Sequence, residues 1–454
     1  MFGSYIKFKY SYKNILTTFF GICSTVFFLI LPINVFLYFF VILINVILLT
    51  IFNKILFNKK INTYIYINFF CLVFFGLLYA SNAYNTYGNF FGTTSDDSFY
   101  FYRAMDIMNG IDIGASSLFE YILAFLLKII SYFTNLDKFS VIYLLPFSYT
   151  FISLGIESMN HLYCMYHNTA LPLKYYCIFI VLNQNIINNC VPLYRESYAI
   201  FLFLLGIYYI EKNIKINLII VTALLFNIRG AFALILVSFY VLRIVYKRKY
   251  KLVYIIGILL TFLLAYSIFD YLAPYLSFSG SDISTENLLR SRLSFRTERM
   301  TGYFSLLYSN PILRIIYFLF VPNQFVEFHG IYEVVQHVST WNSVSYSTEM
   351  YNWLAILNWI TIMILPYTIP RTVIGIINMI KNKEKNTVAF GLFMIYSWAL
   401  IAVFSMQVRH FTILIILFPI FYGYWNKTKT KLLNQICNIL TLSSYLMIFI
   451  LNII

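Results

Sequence analysis

Charge is scarce in this chain: of 454 residues only 11% are Asp, Glu, Lys or Arg, and only 17 are acidic. A soluble domain carries roughly 25% charged residues, so an ordinary water-soluble globular protein is excluded. No H-E-x-x-H or His–carboxylate spacing among the five histidines points to a metal, and none is expected. The six cysteines, Cys23, Cys71, Cys164, Cys177, Cys190 and Cys437, form no C-x-x-C pair, which removes zinc, thioredoxin-like and haem-attachment chemistry. They read as small buried hydrophobes. A phosphate-binding glycine loop, a dinucleotide fingerprint and a G-x-S-x-G are all missing, so ATP is not expected to bind and no cofactor is called for.

What the chain has is apolar surface, with 61% hydrophobic and 20% aromatic residues. A helix needs about 20 mainly apolar residues to cross about 30 Å of hydrocarbon. Suitable runs lie near 15–31, 33–52, 64–80, 118–134, 139–160, 174–190, 196–210 and 216–228, then near 230–246, 252–272, 351–369, 388–407, 411–425 and 431–452. This predicts an all-α, polytopic integral membrane protein, a single membrane domain over residues 1–454 with about 13 crossings. The first run follows Lys7, Lys9 and Lys13 as a signal peptide would, but continues without a small-x-small cleavage site, so a retained hairpin turning at Pro32 to Asn34 is expected.

The formal charge of +15 is carried by short clusters between the apolar runs, where orientation signals belong, so nucleic acid is not an expected partner. Placing the clusters at 7–13, 54–60, 212–215, 247–251, 381–385 and 427–431 in the cytoplasm is self-consistent. Residues 81–117 and the long stretch 273–350 then fall outside, together with the turns around Arg195, Arg229 and Arg409. Lysine marks the inner face and arginine the outer. To keep this parity, one of the segments 118–134 and 139–160 must be re-entrant or half-buried, and 311–322 reads as a shallow helix packed in protein. Richness in Ile, Phe, Tyr, Asn and Lys, whose codons are AT-rich, points to a bacterial source.

Arg290, Arg292, Arg296 and Arg299 follow one another within the outer stretch. On a helix, Arg292, Arg296 and Arg299 share a face at i, i+4 and i+7. A guanidinium fork pairs bidentately with phosphate; the same residues also suit an amphipathic helix lying among lipid headgroups. Arg195, Arg229 and Arg409 stand at predicted outer helix ends, where an arginine either snorkels or faces a wet cavity. The string TTSDDSFYFYRAMDIMNG places Asp96 and Asp97 at the start of a short surface helix, as caps or as carboxylates serving sugar hydroxyls beside stacking Tyr and Phe. Glu120 opens the next run. His410, beside Arg409, is a candidate proton carrier or phosphate contact. The acid–base group stays open among Asp96, Asp97, Glu120, Glu196, Glu349 and His410.

Four segments together resemble the Wzy-type polymerases of bacterial surface polysaccharide and the related EpsG-like membrane proteins. They are TTSDDSFYFYRAMDI with SSLFEYILAFLLKII; VPLYRESYAIFLFLLG, with ten residues between Arg195 and Gly206; FNIRGAFALIL and VRHFTILIILFPIFYG; and the arginine-rich late outer loop. One departure is that Gly302 lies one position too close to Arg292 to repeat the Arg195–Gly206 spacing. The resemblance implies transfer of a growing glycan from undecaprenyl pyrophosphate onto another lipid-linked repeat unit, at the periplasmic face of the inner membrane. It implies arginines (Arg195, Arg229, Arg290, Arg292, Arg296, Arg299, Arg409) on the diphosphate, Asp96, Asp97, Glu120 or His410 in acid–base roles, membrane lipid around the helices, and a chain-length regulator as a possible protein partner. A flippase of the same lipid-linked oligosaccharide and an O-antigen ligase are the alternatives.

Overall fold

The computed structural model describes residues 33–58, 63–91, 96–111, 117–247, 332–338, 345–351, 355–381, 385–404 and 408–453. These residues are predominantly helical, as the sequence predicts, and form two compact units. Among the described residues, five helical stretches are long and apolar enough to cross a bilayer: Val35–Phe57, Thr63–Tyr84, Ser140–His167, Lys215–Ile244 and Trp359–Lys381. The chain therefore has the character of a membrane protein. The expected runs at 15–31 and 252–272 and the shallow helix at 311–322 lie outside the described residues.

The first unit begins with α1 (Val35–Phe57) and α2 (Thr63–Tyr87). Asn34 caps α1: its side-chain oxygen accepts from the Leu37 N–H at 3.1 Å, while its own N–H donates to the Tyr143 hydroxyl at 3.0 Å. One face of α1, carrying Phe36, Phe39, Phe40, Leu43, Ile47, Ile51 and Ile55, is exposed; Leu37, Val41, Ile42, Asn45 and Leu49 are buried on the other. An exposed face this apolar suits lipid, not water. Then come α3 (Asp96–Met108) and α4 (Leu118–Ile130), which pack against each other. At 13 residues α4 rises about 20 Å, short of the hydrocarbon thickness. Of the two segments competing to be half-buried, it is the one too short to cross.

A 3₁₀ turn (Ser140–Tyr143) leads into α5 (Leu145–His167), and 89% of the apolar window of Ser140–His167 is buried, against 33% for α1. With α8 (Glu196–Lys212), buried on every side from Glu196 to Ile210, α5 forms the centre of this unit. Gly155 makes the approach possible, since a Cβ there would stand 3.0 Å from the Phe201 Cα. Polar side chains pair across this core at two places: Thr150 donates to Asn45 at 2.8 Å, and Asn68 to Ser153 at 2.9 Å.

The expected span at 174–190 is instead two short pieces. Helix α6 (Leu173–Tyr176) runs into a π turn (Cys177–Val181), and α7 (Gln184–Cys190) starts anew where the Asn183 side chain caps the Asn185 N–H at 3.0 Å. An asparagine offering its own acceptor competes with the helical bond, which is why the run breaks there. The expected spans 216–228 and 230–246 form one hydrogen-bonded element, α9 (Lys215–Lys247), interrupted by non-helical backbone at Arg229 (φ −151°, ψ 83°). An antiparallel hairpin, β1 (Tyr332–Val338) with β2 (Ser345–Tyr351), pairs Tyr332 with Tyr351 and Val338 with Ser345 in a stretch expected to be loop; β2 lies against α2.

The second unit holds α9 beyond Gly230, the part of α10 (Ala355–Lys381) from Ile362 onward, α11 (Lys385–Phe404), α12 (Val408–Ile415), α13 (Phe418–Thr428) and α14 (Lys431–Ile453). Its core is aromatic: Phe390 stacks on Phe421 at 5.3 Å, and Phe239 meets Phe393 at 4.4 Å. A Cβ on Gly375 would collide with the Phe421 carbonyl, so this glycine lets α10 and α13 touch backbone to backbone.

Candidate functional site

The cluster richest in chemistry lies in the first unit, where α3, α4, the start of α8 and α9 up to Arg229 meet. Two glutamates here are each matched to an arginine. Glu120, only 1% exposed, faces the Arg103 Nε at 3.1 Å through one oxygen, and its other oxygen accepts the Ser117 N–H at 2.7 Å. It thus ties α3 to α4 and satisfies an orphan N–H at the entry to α4. Glu196, 3% exposed, is ion-paired with the Arg229 guanidinium, itself 14% exposed. Glu196 opens α8, where a negative charge also complements the helix dipole.

Arg195 differs. It precedes Glu196 at the head of α8, its carbonyl accepting the Ala199 N–H at 3.0 Å. Its guanidinium lies 5.9 Å from the Tyr100 ring centroid. Its Nε is buried without a hydrogen-bond partner, and among the described residues no carboxylate lies within ion-pair range of it. A buried donor without an acceptor and a cation without a counter-ion both want an anion.

Aromatic rings line the same region. Tyr100 packs edge-on against Phe119 at 5.1 Å, Phe119 against Tyr198 at 5.1 Å, and Tyr198 against Phe151 at 4.7 Å. Asp97, 1% exposed, accepts from the Tyr79 hydroxyl at 3.2 Å and from the Ser98 N–H at 3.0 Å. The turn before α8 is held from behind, because the buried Tyr149 hydroxyl donates to the Val191 carbonyl at 3.0 Å. These rings and cations could hold a ligand with both an anionic and a sugar-like part.

No protein-family model matches the chain, and neither a curated protein nor a solved structure matches it.

The structure thus gathers Asp97, Glu120, Arg195 and Arg229 in one unit. Asp96 begins α3, but its side chain is outside the described residues, as are those of Arg409 and His410, whose backbone lies in α12 of the second unit. Arg290, Arg292, Arg296 and Arg299 lie outside the described residues altogether. Among the described residues, no group of three or more His, Cys, Asp or Glu is placed to hold a metal ion.

Two polar centres escaped the sequence reading. Glu157 and His161, one turn apart in α5, approach to 3.4 Å, with Phe57 4.7 Å and Tyr208 5.8 Å from the imidazole ring. Their i, i+4 spacing was visible. In the second unit Arg371 is fully buried; it donates to the Tyr367 carbonyl at 2.6 Å and the Thr441 hydroxyl at 3.1 Å, lies 3.7 Å over the Tyr367 ring, and also bonds Asn438. An arginine within an apolar run, just after Pro366 and Pro370, was its signal.

Proposed function

We propose that this protein is a polymerase of lipid-linked oligosaccharide repeat units in a bacterial inner membrane, with its active site facing the periplasm. It transfers a growing glycan from undecaprenyl pyrophosphate onto a sugar hydroxyl of another lipid-linked unit. The observation that carries the reading is Arg195, a partly buried guanidinium beside Tyr100, with no carboxylate in range among the described residues. Such a group suits a diphosphate, which accumulates negative charge as the anomeric bond breaks. Arg229, 14% exposed, supplies a second cation in the same unit. The tyrosines and phenylalanines around Arg195 offer faces on which sugar rings stack. The activated diphosphate makes ATP unnecessary, and guanidinium groups do the work a metal would otherwise do. The exposed apolar faces of α1 and α9 suit the lipid surroundings in which polyprenyl chains run.

Deletion of the gene tests the class. A polymerase loss leaves a single repeat unit on lipid A core. A flippase loss abolishes surface repeats, and a ligase loss strands polymer on the carrier lipid. Either of the last two results, or a normal long-chain glycan, overturns the proposal.

A further inference from the structure

We infer that Tyr100 is the positioning residue for Arg195: its ring holds the guanidinium in place without neutralising it, so that the charge and the N–H donors stay available to the diphosphate. This rests on the polymerase reading above and deepens it.

The arginines of this cluster are held in two different ways. Arg103 faces Glu120 at 3.1 Å and Arg229 is ion-paired with Glu196, so part of each positive charge is already answered by a carboxylate. Arg195 has instead the ring of Tyr100, 5.9 Å from guanidinium carbon to ring centroid, and among the described residues no carboxylate within ion-pair range. The two kinds of partner differ in what they leave for a ligand. A carboxylate takes N–H donors and cancels charge, so an incoming phosphate must displace it. An aromatic face attracts the cation through its quadrupole and takes no donor. The Arg195 Nε, buried and without a hydrogen-bond acceptor, is a donor left over in this way.

A ring can place a cation only if the ring itself is fixed. Tyr100 in α3 packs edge-on against Phe119 in α4 at 5.1 Å, and Phe119, fully buried, packs against Tyr198 in α8 at 5.1 Å. Tyr198 lies three residues beyond Arg195, about one turn into the same helix. The chain of rings therefore leaves α8 at Tyr198, crosses α4 and α3, and comes back to the head of α8 at Arg195. Two further contacts brace it. Arg103, three residues after Tyr100, ties α3 to Glu120, the neighbour of Phe119, and Phe151 of α5 backs Tyr198 at 4.7 Å. Packing, not the ligand, thus sets the place of the Tyr100 ring, which is what preorganisation for an anion requires.

The test uses the full-length protein in lipid nanodiscs, with undecaprenyl diphosphate as the binding probe and a thermal midpoint recorded for every variant. Tyr100→Leu should bind the probe about 5- to 30-fold more weakly, the upper range for a cation–π contact, because the guanidinium is partly buried. Tyr100→Phe keeps the ring and should bind within about twofold of the wild type. Tyr100→Glu should bind more weakly than Tyr100→Leu, since a carboxylate there competes with the diphosphate for the guanidinium. In an Arg195→Ala background, Tyr100→Leu should change affinity by less than about twofold, whereas a general loss of structure would weaken binding in both backgrounds. Equal losses in both backgrounds, wild-type affinity in Tyr100→Leu, or a loss in Tyr100→Phe as large as in Tyr100→Leu overturns the inference and leaves the polymerase reading intact. A wild type that binds the probe but makes no polymer from lipid-linked repeat units fails the polymerase reading instead, and one that does not bind the probe overturns both.

Discussion

Gly76→Ala should loosen the turn that presents Arg195, although the two residues lie on different helices. Gly76 in α2 lies flat against the phenol of Tyr149 in α5, and a Cβ at position 76 would overlap the phenol oxygen and ring. The ring has nowhere to retreat, since Tyr149 is 0% exposed and its hydroxyl is committed to the Val191 carbonyl at 3.0 Å. Overpacking of this kind costs about 1–3 kcal/mol, and loss of the buried hydrogen bond adds about 1 kcal/mol, so a destabilisation of about 2–4 kcal/mol is expected. Tyr149→Phe, which removes only the hydroxyl and orphans a buried carbonyl, should cost about 1–3 kcal/mol. The decisive comparison is Gly76→Ala in a Tyr149→Ala background, where the overlap is gone and the added methyl should cost under about 0.5 kcal/mol. Thermal unfolding in detergent of the wild type, both singles and the double variant closes the cycle. Additive effects, with Gly76→Ala equally costly in both backgrounds, would refute the packing argument.

Arg195→Ala should leave protein level and thermal stability nearly unchanged, because among the described residues no hydrogen bond or ion pair holds the guanidinium. It should abolish polymer on surface-glycan gels, with Arg195→Lys restoring part, since an ammonium carries the charge without the fork. Glu120→Gln keeps an acceptor for the Ser117 N–H but loses the charge facing Arg103; a loss of about 1–3 kcal/mol should appear in the unfolding midpoint, with Glu120→Ala costing more. Arg371→Lys cannot reach Asn438 and Thr441 together or stack on Tyr367, so α14 should dock less firmly on α10. Limited proteolysis of the C-terminal helix would report that, and an unchanged cleavage rate would contradict it.

Helix content was legible because long apolar runs admit few other folds in lipid, and helix ends were legible where a local signal sits in the chain. Asp96 opens α3, Glu120 falls in the first turn of α4, and Arg229 stands where α9 breaks. The break at Asn183 was harder to read, because hydropathy does not register an asparagine that caps its neighbour. The hairpin at Tyr332–Tyr351 was passed over as loop although its β-branched and aromatic residues signal strands. Pairings between distant residues carried no signal in one sequence. Arg229 and Glu196 were each legible as charged residues near helix ends; that they pair, while neighbouring Arg195 lacks a carboxylate partner among the described residues, follows only from the packing of α8 and α9.

Reconstitution tests the central claim most directly: purified protein in liposomes, supplied with undecaprenyl diphosphate-linked repeat units and neither ATP nor added metal. The account predicts a ladder of lengthening lipid-linked glycan, with one undecaprenyl diphosphate released per bond formed and no ladder from Arg195→Ala. Folded wild-type protein that moves the lipid-linked unit across the bilayer, or leaves it unextended, would contradict it.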